Sequence, residues 1–364
     1  MIRRTSALAA LLLALLLTGV HADVPTSVYA RVNAALLDGH VITRYRRLDE
    51  AMTALADSAR ERCTARDSGN DDALRARYHA AMDAWMGVEH LQFGPVEQFM
   101  RAHRLYSWPQ ARGRIGDALR ELLEAGRGEA IGPERVQRAS VAAQGLPAVE
   151  HLLYAGEGDL TRDAARCALL VPITASMQSM AGAIAAEWQH GESAFAHALR
   201  APGPDNVYLR SHQDATLVLF KALHDGLQRI ASVKLAPVVG DSAAAVRARL
   251  AESAPSARAL RNIILNLQAL QALDAGEGGA GLDAIVRADG SDAALDALLH
   301  KAFRITLASA RAIEGPLAQA AADRTTRPQV EKLATQALAL EQIVRTRLAK
   351  ALGMQVGFNA LDGD

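Results

Sequence analysis

Apolar residues recur along this chain every three or four positions, which is the spacing of helices that bury one face. No stretch alternates apolar and polar residues in the way a half-buried strand does. One helix is predicted over residues 27–66 and a second over residues 71–91. The second should end at Gly94-Pro95, because proline removes a backbone donor and clashes with the preceding turn. The first helix's apolar positions are Val32, Leu36, Leu37, Tyr45, Leu48, Met52 and Leu55.

The same spacing predicts further helices separated by turn residues, and hence an all-α fold. A break rich in glycine between Tyr154 and Asp159 divides the helices into two groups of similar size. We therefore expect two packed helical bundles, over residues 23–156 and 157–364. The further helices are predicted over residues 108–124, 134–143, 148–154, 161–199, 207–233, 257–273, 291–322 and 328–352.

The first 22 residues have the pattern of a secretory signal peptide. Arg3 and Arg4 precede an apolar run, and a small-residue cleavage site follows, most simply between Ala22 and Asp23. The apolar run is shorter than the roughly 20 residues that a membrane span needs. No cysteine follows the run, so lipoprotein processing is not predicted, and no second run is expected to span a membrane. We therefore expect an exported protein of the periplasm.

Composition narrows the classes of partner. The chain has 40 basic and 40 acidic residues, and half of its residues are hydrophobic. This balance favours a large core and predicts neither nucleic acid nor an anionic membrane as partner. Two cysteines occur, Cys63 and Cys167. In an oxidising compartment they could form one disulfide, and the alternative is two separate buried thiols.

Common catalytic motifs are missing from the sequence. It contains no H-E-x-x-H zinc helix, no G-x-S-x-G elbow and no C-x-x-C pair. Glu187 and His190 have the spacing of one half of a di-iron site, but such a site needs two copies. His79 and Asp83 lie one helical turn apart. We interpret both pairs as residues of solvent-exposed helix faces.

Three segments are unusual for plain helices. Tryptophans, glycine and proline are concentrated in residues 84–109. Residues 145–154 read GLPAVEHLLY, where glycine and proline precede the carboxylate of Glu150. Residues 357–364 read GFNALDGD, an aromatic residue, an amide and acids between glycines at the end of the chain.

These segments resemble the imelysin-like family, also classed among metallopeptidases. The hallmark of that family is G-x-H-x-x-E, which Gly145 and Glu150 match while Pro147 stands in place of the histidine. The final segment is similar to the family's C-terminal G-F-N-x-x-D-G-D at every defined position. The resemblance spans nearly the whole mature chain.

The resemblance implies an exported protein of two helical bundles, linked in many members to iron acquisition and in a few to peptide hydrolysis. The hallmark His and Glu are the family's proposed metal ligands, and proline has no side-chain donor. His151 cannot replace the missing ligand, because one residue along a helix rotates a side chain by about 100°. If Glu150 binds iron or another divalent or trivalent metal, its candidate partners are Glu89, Asn359, Asp362 and Asp364.

From these observations we expect a non-catalytic binding component of the envelope linked to iron or metal acquisition. Its tentative site comprises Gly145, Pro147, Glu150, Glu89 and the C-terminal segment, and its partners are a metal or small ligand and an envelope iron-uptake protein. Two alternatives stay open: a metallopeptidase of imelysin type, and an interaction scaffold with a degenerate site. A structural carboxylate at Glu150 is an equal alternative to a metal ligand.

Overall fold

The computed structural model describes residues 24–65, 70–111, 113–126, 129–155, 160, 163–189, 194–240, 242–277 and 280–354. Regular structure within these ranges is helical throughout, without a strand. The predicted all-α fold is therefore confirmed. The predicted signal segment, residues 1–22, and the final segment, residues 357–364, lie outside the described residues.

The helices follow one another along the chain in the order of their labels. The first part contains α1 (Thr26–Leu36), α2 (Thr43–Thr64), α3 (Asp72–Val88), α4 (Arg101–Leu105), α5 (Arg114–Ala125), α6 (Pro133–Arg138), α7 (Gly145–Tyr154), α8 (Ala164–Gln189) and α9 (Ala194–Arg200). The second part contains α10 (His212–Gln228), α11 (Ala236–Val239), α12 (Ala259–Ala275), α13 (Asp283–Asp289), α14 (Leu295–Arg311), α15 (Leu317–Ala322), α16 (Arg327–Ile343) and α17 (Ala349–Ala351).

Some helices differ from the prediction at their ends. The helix expected over residues 27–66 contains a π-helical turn, Leu37–Ile42, between α1 and α2. The helix expected from Trp108 begins at Arg114 instead, directly after Gly113, whose φ of +77° is left-handed and outside a helix. The helix expected over residues 291–322 is divided into α14 and α15, because Gly315 has a φ of +75° and Pro316 follows it.

The core of the first part forms where α2 packs along α3 and α8. Tyr45 of α2 stacks on Trp188 of α8 with ring centroids 6.1 Å apart, and both side chains are buried. Cys63 at the end of α2 and Cys167 in the first turn of α8 form a disulfide, with an S–S distance of 2.07 Å. The bond joins α2 to α8 at one end of their contact.

The core of the second part forms between α10, α12, α14 and α16, and α12 also packs on α3. The two sets of helices therefore share a long contact. The predicted division at residue 156 stays a prediction. Helix α8 follows that position in the sequence and yet packs on α2, which precedes it.

The sequence predicted no second segment that could span a membrane. Helix α8 is nevertheless long enough and apolar enough to do so. In its most apolar 18-residue window, 56% of the residues are buried inside the protein. Leu170, Ile173 and Ile184 are among the fully buried residues of the core. A core helix packed on several neighbours passes the same test of length and composition.

Candidate functional site

The hallmark segment forms α7, whose start is fixed by Gly145. This glycine has a φ of +72°, and a Cβ there would lie 2.3 Å from the carbonyl oxygen of Leu105. The backbone of α7 thus begins in direct contact with the end of α4, which only glycine permits. Pro147 lies in the first turn, where a helix does not need the missing N–H. Glu150 follows three residues later, on the same side of the helix as Pro147.

The Glu150 carboxylate is buried and is held by one serine. Its Oε1 accepts a hydrogen bond of 3.1 Å from the backbone N–H of Ser256 and a second from the Ser256 hydroxyl. Among the described residues, no hydrogen bond reaches its Oε2 atom. Burial raises the pKa of Glu150, and the hydrogen bonds from Ser256 offset part of that rise.

Ser256 lies on the non-helical loop that leads into α12. On this loop Ser253 has a φ of 47° and Ala257 a φ of 57°, both in the left-handed region that non-glycine residues seldom adopt. Such conformations persist where the surrounding contacts fix them, and they are frequent at functional sites. Here they direct the Ser256 N–H and hydroxyl at α7.

A cleft of about 210 Å³ opens beside Glu150. Its walls include Pro147 and His151 from α7, Trp108 from the segment before α5, and Arg249 from the loop before α12. Burial lowers the pKa of His151, so this imidazole is neutral at pH 7. The cleft therefore combines one buried carboxyl group, one neutral imidazole and one exposed guanidinium with apolar walls.

Glu89 occupies a different position from the one expected for a metal ligand. Its Oε2 lies 2.6 Å from the Nζ atom of Lys234, a side chain that is 1% exposed. The same ammonium group lies 2.9 Å from Glu252 Oε2 and donates to Asn266 Oδ1 over 2.7 Å. Three oxygen acceptors and the sulfur of Met86 thus surround one buried cation, as a buried charge requires. Glu89 therefore shares the positive charge of Lys234 with Glu252.

The Lys234 cluster and the Glu150 cleft are joined by the loop before α12. Glu252, on that loop, also accepts a hydrogen bond of 2.7 Å from the Tyr106 hydroxyl. Four residues later the loop reaches Ser256 at Glu150. The charge of Glu252 contributes to the raised pKa of Glu150. Glu89 and Glu150 are therefore linked by a continuous row of polar side chains between the two sets of helices, which we call the polar seam. It consists of Glu89, Lys234, Asn266, Glu252, Ser256 and Glu150.

His79 and Asp83 lie at the edge of the same seam, so their interpretation as an exposed pair was wrong. Arg258 donates to His79 Nδ1 over 2.8 Å and also to Asp83. Arg261 donates to Asp83 Oδ1 over 2.8 Å. The pKa of Asp83 is lowered, since these guanidinium contacts outweigh the opposing effect of burial. Two arginines thus outnumber the one carboxylate, so this pair has no unbalanced negative charge that would attract a cation.

Glu89 also lines a second cavity, of about 420 Å³, on the other side of the seam. His90 lies in its wall, and the Nε2 atoms of His90 and His40 are 2.9 Å apart. Burial lowers the pKa of His90 to about 3, so the ring is neutral at physiological pH. His40 comes from the π-helical turn between α1 and α2, which brings it to this position.

Of the predicted site, the described part of the chain brings Gly145, Pro147 and Glu150 together and places Glu89 in the adjoining cluster. Asn359, Asp362 and Asp364 lie outside the described residues, so their place beside Glu150 stays a prediction. Within the described ranges, Glu150 belongs to no group of three His, Cys, Asp or Glu side chains close enough to hold a metal. These residues alone do not fit a protein-bound metal ion at Glu150.

Several residues of the seam were missed in the sequence. Lys234 stands between Val233 and Leu235. A lysine within an apolar stretch indicates a buried charge that needs a partner, so this residue could have been found from the sequence. Glu252 and Ser256 gave no sign, because they lie on an irregular loop without periodic spacing. Their contacts with residues more than 100 positions earlier exist only in the folded chain.

Comparison with known proteins agrees with this fold. The chain has a TM-score of 0.75 and 20% identity to an imelysin-like protein from Psychrobacter arcticum, covering 92% of this chain and 99% of that one. A protein from Parabacteroides distasonis, named as an iron-regulated protein A precursor, gives a TM-score of 0.72 at 16% identity and covers 89% and 96%. No curated protein matches the chain. The family model for imelysin matches residues 41–344. This chain therefore belongs to the imelysin family.

Proposed function

We propose that this protein is a non-catalytic binding component of the bacterial periplasm that takes part in iron acquisition. Its site is the cleft beside Glu150. The observation that supports this most directly is the carboxylate of Glu150, which Ser256 holds by one oxygen at the wall of a cleft. The ligand we propose is a small iron chelate.

The donor set favours binding over peptide hydrolysis. A catalytic zinc site normally has three protein ligands and one open position. Proline offers no donor at position 147, and no other described His, Cys, Asp or Glu pair completes a three-ligand set with Glu150. A binding role needs less, because the ligand can bring most of its own donors.

The chemistry of the cleft suits ferric iron in a small organic chelate. Ferric iron prefers oxygen ligands, and a chelate that fills most coordination positions needs only one carboxylate oxygen from the protein. Glu150 supplies that oxygen. Arg249, exposed at the rim, is complementary to the carboxylates of a chelate such as citrate. A cleft of about 210 Å³ admits a molecule of that size.

Two further observations support the compartment and the iron link. The Cys63–Cys167 disulfide is typical of proteins that fold in an oxidising compartment. The periplasm, to which the predicted signal peptide would direct the chain, is such a compartment. The iron-regulated name belongs to the Parabacteroides distasonis relative, and we extend an iron association from it to this chain as part of the proposal.

The test uses the mature chain, residues 23–364, with ferric citrate as the probe in calorimetric titration. We expect saturable binding by the wild type. Loss of a charged contact is worth about 1.5–3 kcal/mol, so Glu150→Gln should weaken binding about ten- to a hundredfold. Glu121→Gln, which removes an exposed carboxylate on α5, is the matched control and should bind as the wild type does.

Two kinds of result would contradict the proposal, one from the binding titration and one from a cleavage assay. The first is binding of ferric citrate that Glu150→Gln leaves unchanged, or no saturable binding by the wild type. The second is cleavage of unfolded casein by the purified chain that stops on addition of a chelator and is lost in Glu150→Gln. The second result would support the metallopeptidase alternative.

A further inference from the structure

A separate group of acidic residues lies at the other end of α12, where α12, α13 and α14 meet. Asp283 of α13 and both Asp296 and His300 of α14 place one ligand atom each within 4.8 Å of one another. A metal ion with bonds of about 2.0–2.4 Å has ligand atoms at such separations. His300 and Asp296 are one helical turn apart and so lie on the same face of α14.

The glycine loop between α12 and α13 creates this arrangement. Gly276 has a φ of +73°, and a Cβ on Gly281 would lie 2.0 Å from the carbonyl oxygen of Asp274. The loop therefore folds back tightly on the end of α12, as only glycine at these positions allows. As a result Asp283, nine positions after Asp274, returns to the end of α12.

Asp274 provides the second, independent observation. Its side chain is 0% exposed, and neither of its carboxylate oxygens has a hydrogen-bond partner among the described residues. A buried carboxylate without a partner is costly, and it calls for a cation or a proton. The backbone N–H of Leu282 lies 3.5 Å from the carbonyl oxygen of Leu273, so α13 starts, with Asp283, at the end of α12 that carries Asp274.

The charges of the cluster do not balance. Arg287 is the one cation facing it in the described structure besides the ionisable His300, and it lies 2.8 Å from Asp283 and 3.3 Å from Asp296. Three carboxylates against one guanidinium leave two negative charges when all three acids are ionised. A single divalent cation would neutralise them.

We propose that Asp283, Asp296 and His300 form a binding site for a divalent first-row transition metal ion, with Asp274 as a third carboxylate beside it. Carboxylate oxygens together with one imidazole suit zinc and manganese better than calcium or magnesium, which take oxygen ligands alone. The site is open to ions from solvent: the His300 side chain is 45% exposed and also lines an open surface groove. The site lies on helices that contribute no residue to the Glu150 cleft.

Zinc chloride is the probe that tests this site, titrated into the untagged, chelator-treated mature chain. We expect one equivalent to bind and to raise the midpoint of thermal unfolding. His300→Ala removes a half-exposed ligand at little risk to the fold and should weaken zinc binding at least tenfold. Asp274→Asn should weaken it also. The matched control is His197→Ala, which removes an exposed imidazole on α9 and should leave zinc binding unchanged.

Each other outcome has a defined meaning. Absence of saturable zinc binding by the wild type overturns the proposal, and so does unchanged binding by His300→Ala. Zinc binding that Glu150→Gln abolishes and His300→Ala preserves assigns the metal to the cleft, which overturns this site and leaves the proposed function standing. Zinc binding that requires His300, without any ferric citrate binding, supports this site and counts against the proposed function.

Discussion

The buried ammonium group of Lys234 gives the sharpest prediction about stability. Replacing it in Lys234→Met keeps most of the volume and removes the charge shared by Glu89 and Glu252. These two carboxylates have side chains that are 5% and 1% exposed, so water cannot replace the lost contact. Breaking one buried ion pair costs about 3–5 kcal/mol. Because two carboxylates lose their partner here, we expect a loss of about 5 kcal/mol in the free energy of unfolding.

Urea unfolding followed by circular dichroism measures this loss. With a slope of about 3 kcal/mol per molar urea, the midpoint should fall by about 1.7 M. Lys332→Met, at an exposed position on α16, is the matched control and should change the free energy by no more than about 0.5 kcal/mol. The triple variant Lys234→Met, Glu89→Gln, Glu252→Gln removes all three charges and should regain most of the loss.

The pH dependence provides a second check on the same reasoning. Burial already raises the pKa of Glu252, and the charge of Lys234 opposes that rise. Without Lys234 the pKa rises further, so the folded variant binds protons that the unfolded chain releases. Its stability therefore falls as pH rises above the usual carboxyl range, and its deficit against the wild type should be smaller at pH 5 than at pH 8. A deficit below about 1 kcal/mol at pH 7, or a triple variant no more stable than Lys234→Met, would refute the ion-pair account.

Three further predictions concern other parts of the fold. Replacing Cys63 and Cys167 by alanine removes a disulfide that closes a loop of sequence separation 104. The free energy of unfolding should fall by about 4.7 kcal/mol, because the unfolded chain regains conformational entropy. Reductant should then no longer change the urea midpoint of the variant. Gly145→Ala should lower the free energy of unfolding by more than about 2 kcal/mol, whereas Gly203→Ala, with no atom within 4 Å of its Cβ, should change it little in the same urea assay. The hydrogen bond with Asp225 raises the pKa of His224. The protonated imidazole therefore stabilises the fold fully below about pH 6.5, and this stabilisation is lost as pH rises through the higher pKa of the folded state. Thermal unfolding across pH 5–9 should show this loss in the wild type and not in His224→Gln.

The hallmark segment shows how far sequence reasoning reached. Gly145 and Glu150 were recognised by their spacing, and the replacement of a ligand by Pro147 was readable from the sequence because proline has no side-chain donor. The environment of Glu150 was not readable. Its partner Ser256 lies 106 positions away on an irregular loop, and no local pattern indicates which loop a helix will contact.

Glu89 shows the opposite outcome at the same seam. The sequence offered it as a candidate partner of Glu150, and the structure pairs it with the ammonium group of Lys234. The pairing depends on the packing of α12 and the π-helical turn Arg229–Leu235 against α3, which brings a lysine 145 positions later to this carboxylate. Charge type was visible in the sequence, whereas the partner was decided by packing.

By itself the sequence determined the all-α fold, the family and the loss of a ligand at Pro147, because each depends on local spacing or on the chemistry of one residue. Only the tertiary structure decided that Cys63 meets Cys167, that Glu150 is held by Ser256, and that Asp283 returns to the end of α12 and meets Asp296 and His300. These contacts join residues far apart in the chain or across a tight glycine loop. They follow from which helix faces pack together, and helical periodicity alone does not specify that choice.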